Sequence, residues 1–325
     1  MGWDGVQLDA ALEALSGVTP AQWCQAFFIL AAGGVLAVAA MPRDAKALLV
    51  DYGARKAQAA PVVDEIPANK GQHRGWLLPS IAAITSWTQV PHAWFSAFYA
   101  VSLAYSVFWL VQYLGDGAVL RFLAASQAAA QAAPSATSGQ VALGWLMMFL
   151  QAARRVFEHA TVVKSSKSTM WVAHWVLGLL FYLFISVAVW VEGSGAILDP
   201  ADPRHTDDSQ SLLKMAVALP AFLFAWVNQY RCHKHLAGLK KYSLPEGGMF
   251  RHFICPHYTC ECLLYLSMGV ATAPRGAWCN RTLLCALAFV TVNLGVTASG
   301  TRKWYAQKFG IGPVAGKWNM IPFVF

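Results

Sequence analysis

Four short clusters of charged, amide and aromatic residues interrupt the otherwise apolar runs of this sequence. The first is Gln151-Ala-Ala-Arg154-Arg155-Val-Phe-Glu158. On a helix, Gln151, Arg154 and Glu158 fall at i, i+3 and i+7 and share one face, and Arg154 can pair with Glu158 at i, i+4. The second is Asn228-Gln-Tyr-Arg231-Cys232-His233-Lys-His235, which runs on to Lys240, Lys241 and Tyr242. The third is Cys255-Pro256-His257-Tyr258-Thr259-Cys260-Glu261, with His257 and Glu261 at i, i+4. In the fourth, Arg302, Tyr305 and Lys308 line one helix face. Taken singly, each has a bland explanation: a helix-end ion pair with snorkelling arginines, a positive stop sequence, a structural pair, a membrane-surface anchor. Ionisable groups within apolar helices are costly, however, and mark functional sites by default. Together the clusters offer cations, amide and imidazole donors and aromatics toward one face, a seat for an anionic, phosphate-rich cofactor. Their spacing alone does not name that cofactor.

The elements that must position these residues are membrane spans. Of the 325 residues, 57% are hydrophobic and only 12% charged, about half the usual charged share of a soluble domain. Several of the 14 tryptophans flank apolar runs, as interface anchors do. Runs able to cross a bilayer, roughly 20 residues each, occur at 21–41, 92–114, 141–159, 170–192, 211–232, 253–273 and 277–300. The run 75–87 is too short and reads as an interfacial or re-entrant segment. The expectation is an all-α integral membrane bundle of about seven transmembrane helices, forming one domain over 1–325. Residues 124–140, rich in Ala, Gln and Ser, read as a low-complexity linker with some helix propensity.

Charge sets the expected orientation. All but five of the 24 basic residues lie in loop 42–91, in 154–169, in 231–252 or in the tail after Gly300. The other side carries the acidic loop with Asp199, Asp202, Asp207 and Asp208. By the positive-inside rule the first set faces the cytosol. Residues 1–20 have no Lys or Arg, unlike a cleaved signal, and are expected to be lumenal ahead of a retained first span. The C-terminus is then cytosolic. The net charge of +8 sits in short loops, so no exposed basic domain is left for nucleic acid. The seven cysteines form no small secreted framework and are expected to be reduced thiols.

The clusters occur in the order and spacing of a known pattern. Its pieces are Gln-x-x-Arg-Arg-x-x-Glu at 151–158, Gln-x-Arg-Cys-His-x-x-Leu-x-x-Leu-Lys at 229–240, Tyr-Ser-Leu-Pro-Glu-Gly at 242–247, Pro-His-Tyr-x-x-Glu at 256–261, Lys-Trp-Tyr-x-x-Lys-Phe at 303–309 and the terminal Ile-Pro-Phe-Val-Phe. Through them the chain resembles the steroid 5α-reductase family, most closely its polyprenol-reducing branch. The likeness is specific from about residue 145 onward and weaker over 45–115, through Asp51-Tyr52-Gly53 and Trp94-Phe95-Ser96-Ala97-Phe98-Tyr99. It implies a seven-helix fold of the endoplasmic reticulum membrane, with a reductase core over 145–325 holding NADPH in a cavity open to the cytosol. It further implies that Asn228, Tyr242, His257, Glu261 and Tyr305 contact the cofactor, with Arg231 and Lys240 on its phosphates. Arg302 joins this set, although close relatives often carry His there. Steroid-reducing relatives have Tyr where this chain has Gln151, which argues against a steroid substrate.

The chemistry so implied is reduction of the α-isoprene double bond of polyprenal or polyprenol, a step toward dolichol and protein N-glycosylation. A conjugated aldehyde accepts hydride because hydrogen-bond donors can stabilise the developing oxyanion. Gln151 and Arg154 are expected to orient that oxygen, and Glu158 to hold Arg154 or, if protonated, to act as a donor. The polyisoprenoid tail is expected between helices, and Phe181, Tyr182 and Phe184 are either its lining or core. No obligate protein partner is expected. Three rivals share some of these features. A prenylcysteine-type membrane methyltransferase would use a signature like Pro256-His257-Tyr258…Glu261. A steroid or enoyl-CoA reductase would belong to the same superfamily. A metal protein would use His252, Cys255, His257, Cys260 and Cys262, but their spacing fits no zinc pattern, so no metal is expected. Glu192-Gly-Ser-Gly follows an apolar span rather than a strand, against a soluble dinucleotide fold.

Overall fold

The computed structural model describes residues 17–42, 87–130, 135–163, 168–240 and 242–325. The first 16 residues, most of loop 42–91 and the 75–87 segment apart from Trp87 lie outside them. The described chain is a helical membrane bundle. Its helices are α1 Pro20–Ala40, α2 Phe95–Leu114, α3 Ala118–Ala130, α4 Ser138–Thr161, α5 Val172–Ala188, α6 Ser194–Leu198, α7 Ser209–Gly238, α8 Pro256–Ala271 and α9 Arg281–Phe309. Two three-residue strands, β1 Gln89–Pro91 and β2 Thr169–Trp171, pair antiparallel with Val90 opposite Met170. This ribbon ties the start of α2 to the start of α5.

Local sequence explains where the helices begin. Thr19 caps α1 in a capping box with Gln22, and Pro20 takes the first helical position, where its missing N–H costs nothing. Thr137 and Gln140 form the same box at the start of α4, and Asp208 with Ser211 forms it at the start of α7. Asn280 caps α9 by accepting from Leu283 N at 2.9 Å. Beside it the Glu192 carboxylate accepts from Thr282 N at 2.7 Å and from its hydroxyl at 2.6 Å. A carboxylate at a helix N-terminus meets the positive end of the dipole.

Five stretches are long and apolar enough to cross a bilayer: Pro20–Ala40, His92–Leu114, Val172–Leu198, Pro203–Gly238 and Arg281–Phe309. The other two expected spans correspond to α4 and α8. α4 carries Arg154, Arg155 and Glu158 in its last turns, and α8 has only 16 residues. Both are nonetheless inner helices of the bundle. Met147 and Met148 of α4 and Cys260, Leu264 and Met268 of α8 belong to the main core, with Phe28, Ile185, Phe222 and Leu283 from the helices around them. Phe181 is also core, edge-on to Phe28 and Tyr265. Tyr182 and Phe184 pack against that core.

The expected linker over 124–140 is mostly helix. α3 packs Leu120 and Ala124 against Trp109 and Trp190, and buried Gln127 accepts from Ala21 N at 3.0 Å. α4 runs alongside α7 and against α8. Gln140 at one end of α4 therefore meets the last turn of α8, and its amide donates to Ala271 O and Ala273 O at 2.8 Å each. The Lys214 ammonium of α7 is buried at the same end and donates to Ala273 O at 3.1 Å and Pro274 O at 2.8 Å. The Ala273 and Pro274 carbonyls follow the C-terminus of α8, the end of a helix that a cation complements.

Candidate functional site

At the opposite end of the bundle, α4, α7 and α8 bring their polar residues into one network. Glu158 has no exposed surface. Its Oε1 accepts from Arg154 Nη1 at 2.7 Å, and its Oε2 meets Arg155 Nη1 and lies 2.7 Å from His233 Nδ1. Arg154 Nη2 donates to Gln151 Oε1 at 2.7 Å and to Gln229 Oε1. Gln151 Nε2 donates to Gln229 Oε1 at 3.0 Å and reaches Glu261 Oε2 at 3.4 Å. Gln229 Nε2 donates to Glu261 Oε2 and to His257 O, the latter at 3.3 Å. Arg155 also donates to the Tyr99 hydroxyl of α2 and lies 4.5 Å from the centre of its ring. The Arg154 guanidinium lies 5.2 Å from the Trp226 ring. Buried charges persist only when paired and hydrogen-bonded, and here both guanidiniums share one carboxylate.

Of the residues singled out in the sequence, Gln151, Arg154, Glu158 and Glu261 therefore meet directly or through Gln229. His257 joins through its backbone carbonyl, and its ring lies 5.6 Å from that of His233 and 4.2 Å from that of Tyr258. Tyr258 in turn packs on a second cluster containing Ile254, Cys255, Ala298 and Tyr305. Tyr242 adjoins this cluster with its ring 6.1 Å from Trp304. It has φ +66°, and its carbonyl accepts from Lys308 Nζ at 3.0 Å. The Lys308 ammonium is 4.8 Å from the Tyr242 ring and 5.1 Å from that of Trp304, a cation–π arrangement that holds the loop after α7 on the end of α9. Arg302 is spent on the chain end: it donates to Val314 O at 3.0 Å, to Lys317 O and to Asn319 Oδ1 at 3.4 Å.

Three residues stand apart from the network. Asn228 donates its amide to Phe224 O at 2.8 Å within its own helix. Arg231 is exposed, two residues beyond Gln229 and so near the opposite face of α7. Lys240 is exposed just past the end of α7. The network instead uses Gln229, His233 and Tyr99. Gln229 and His233 are the first and fifth residues of the Gln-x-Arg-Cys-His run, and their i, i+4 spacing on one face was the signal available for them.

The residues present suit a large polar ligand with an anionic part. His257 Nδ1, Arg154 Nε, Trp226 Nε1 and His235 Nε2 are buried without a hydrogen-bond partner. Buried polar atoms are nearly always paired, so these four are where an added group could bond; atoms of Ser102, Ser138, His174, Trp190 and Arg275 that also lack a hydrogen-bond partner lie elsewhere in the chain. The rings of His235 and His257 lie 5.3 and 6.2 Å from that of buried Phe250, tilted against it. Gly247 lies beside them, and a Cβ there would come within 2.8 Å of the His235 ring. Among the described residues no group of three or more His, Cys, Asp and Glu could hold a metal ion.

Comparison with known proteins points the same way. Residues 168–325 match the family model described as 3-oxo-5-alpha-steroid 4-dehydrogenase. The chain is 28% identical over 200 residues to a polyprenal reductase of Xenopus tropicalis, covering 57% of this chain and 61% of the relative. It is 27% identical over 254 residues to a polyprenal reductase of Caenorhabditis elegans, covering 72% and 79%. It is 30% identical over 208 residues to polyprenal reductase 1 of Arabidopsis thaliana, covering 55% and 63%. The chain thus spans less than two thirds of the frog and plant relatives.

Proposed function

We propose that the chain is a member of the steroid 5α-reductase family, in its polyprenal reductase branch, and that it reduces the α-isoprene double bond of polyprenal with NADPH, a reading supported by the matches to that family model and to the polyprenal reductases. The observation that carries this is the buried network of Gln151, Arg154, Glu158, Gln229 and Glu261, set among apolar helices and bordered by unpaired donors. Such a site joins a greasy substrate to a charged cofactor. NADPH, when bound, supplies the hydride for the β-carbon of the conjugated aldehyde. His257, Glu261, Tyr242, Tyr305 and Asn228 would hold it, with Arg231 and Lys240 toward its phosphates. Arg302 would act there through the tail it fastens.

The chain's own contribution is to orient the aldehyde oxygen and to stabilise its growing negative charge. Gln151 and Arg154 do this in the proposed arrangement, and Arg154 Nε is a buried donor without a hydrogen-bond partner. Preorganised donors in a water-poor site are worth far more than in bulk water. Glu158 fixes the plane of the Arg154 guanidinium and keeps it from turning away. α4 and α8 complete seven spans, their charges shielded inside the bundle. The site faces the cytosol, the N-terminus the lumen of the endoplasmic reticulum, and the product feeds dolichol for protein N-glycosylation.

Proteoliposomes holding the full chain test this reading. With polyprenal and NADPH, mass spectrometry should show a gain of two hydrogens on the lipid, and Glu261→Gln or Tyr305→Phe should abolish most of it. No gain with NADPH, or methyl transfer from S-adenosylmethionine to a prenylated thiol, would refute it.

A further inference from the structure

The Gln229 carboxamide occupies the middle of the network, in contact with Gln151, Arg154, Glu261 and the His257 carbonyl. A carboxamide has one oxygen able to accept two hydrogen bonds and one nitrogen able to donate two. Gln229 uses all four. Its oxygen accepts from Gln151 Nε2 at 3.0 Å and from Arg154 Nη2, and its nitrogen donates to Glu261 Oε2 and to His257 O at 3.3 Å. The residue is 2% exposed. Its neighbours admit one orientation only. Turned over, it would present N–H groups to the donors of Gln151 and Arg154 and its oxygen to the Glu261 carboxylate and the His257 carbonyl, so all four attractive contacts would become repulsive.

We infer that Gln229 is a positioning residue for the reaction: it sets the direction of the Gln151 and Arg154 donors against the Glu261 carboxylate, and so couples the carbonyl-orienting side of the site to the cofactor side. Gln151 also reaches Glu261 directly, but only at 3.4 Å, a contact too long to fix its amide by itself. The Gln151 oxygen is committed to Arg154, which leaves its nitrogen as the group whose direction Gln229 decides. A neutral amide suits this post because it serves a guanidinium on one side and a carboxylate on the other. An acid in its place would face Glu261 with like charge. An apolar chain would take one hydrogen-bond partner each from Gln151, Arg154 and Glu261.

This inference rests on the proposed reduction of polyprenal, and the test separates the two. Wild type, Gln229→Glu and Gln229→Met are reconstituted as full chains. Reduction of polyprenal, NADPH affinity by fluorescence and thermal unfolding are measured for each. Both variants should lose roughly 10²-fold or more in kcat, the scale seen when a preorganised donor is lost. Their KM and affinity for NADPH should stay within about twofold, the change expected when only transition-state positioning is lost. Gln229→Glu keeps the shape of the side chain, so it answers for catalysis if Gln229→Met proves too unstable to assay. A kcat equal to wild type in Gln229→Glu would overturn the inference. So would a loss of NADPH affinity as large as the loss of kcat, which would make Gln229 a cofactor contact or a fold residue. A wild-type chain inactive on polyprenal would instead overturn the proposed function, and this inference with it.

Discussion

Glu158→Leu removes the carboxylate on which Arg154, Arg155 and His233 converge. Arg155 keeps other company, since it donates to the Tyr99 hydroxyl and lies over its ring. Arg154 does not: its remaining hydrogen-bond partners are the neutral amides of Gln151 and Gln229, and its side chain is only 4% exposed. Removing one partner of a buried pair costs about 3–5 kcal/mol, because the other charge stays buried without compensation. Glu158→Gln keeps the shape and one acceptor oxygen but turns an N–H toward cations. It should cost about 1.5–3 kcal/mol, the worth of a hydrogen bond to a charged group. Replacing Arg154 and Glu158 together by Met and Leu should recover part of the loss, since a charged pair exchanged for apolar volume is often close to neutral. Denaturant unfolding in detergent, followed by tryptophan fluorescence, gives the three values. The reasoning fails if Glu158→Leu matches wild type, or if it proves more stable than Glu158→Gln.

Other perturbations reach different parts of the bundle. Gly178 lets Phe98 of α2 lie against α5, and a Cβ there would sit 2.6 Å from the ring; Gly178→Ala should destabilise by about 1–3 kcal/mol, read from the same unfolding curve. Lys214→Ala removes a buried ammonium and its two carbonyl contacts at the other end of the bundle. It should lower stability by about 2–4 kcal/mol, with NADPH affinity of the folded protein unchanged in a binding titration. Arg302→Ala frees the segment from Val314 to Asn319, and limited proteolysis should then cut the C-terminal tail faster while the bundle core resists.

The helix-face arithmetic of the sequence placed Gln151, Arg154 and Glu158 together, and His257 with Glu261, because charges within apolar helices must find partners. It did less well on α7. Asn228 and Arg231 drew attention as a polar and a charged group, whereas the residue turned toward α4 and α8 is the less conspicuous Gln229. One step along a helix turns about 100°, so only knowledge of which face is covered separates neighbours in a polar run. The ribbon of β1 and β2 was invisible, since three residues carry too little alternation to read. α3 was half visible: its alanines favour helix, but the tertiary contacts of Gln127 and Trp109 that hold it are not written in a local window. Arg302, expected among the cofactor residues through the resemblance, is tied to carbonyls of Val314 and Lys317 and to Asn319 further along the chain, contacts that no local pattern announces.

Gln140 ties α4 to the carbonyls at the end of α8, and toward the start of α8 Gln151 of α4 is linked to Glu261 through Gln229 of α7, much as two nails through a pair of boards prevent either from pivoting. Relative sliding of α4 and α8 would have to break both sets of bonds at once. α2 and α5 are joined differently: the Phe98 ring rests on bare Gly178, and further along Trp109 Nε1 donates to Ser186 Oγ at 3.0 Å.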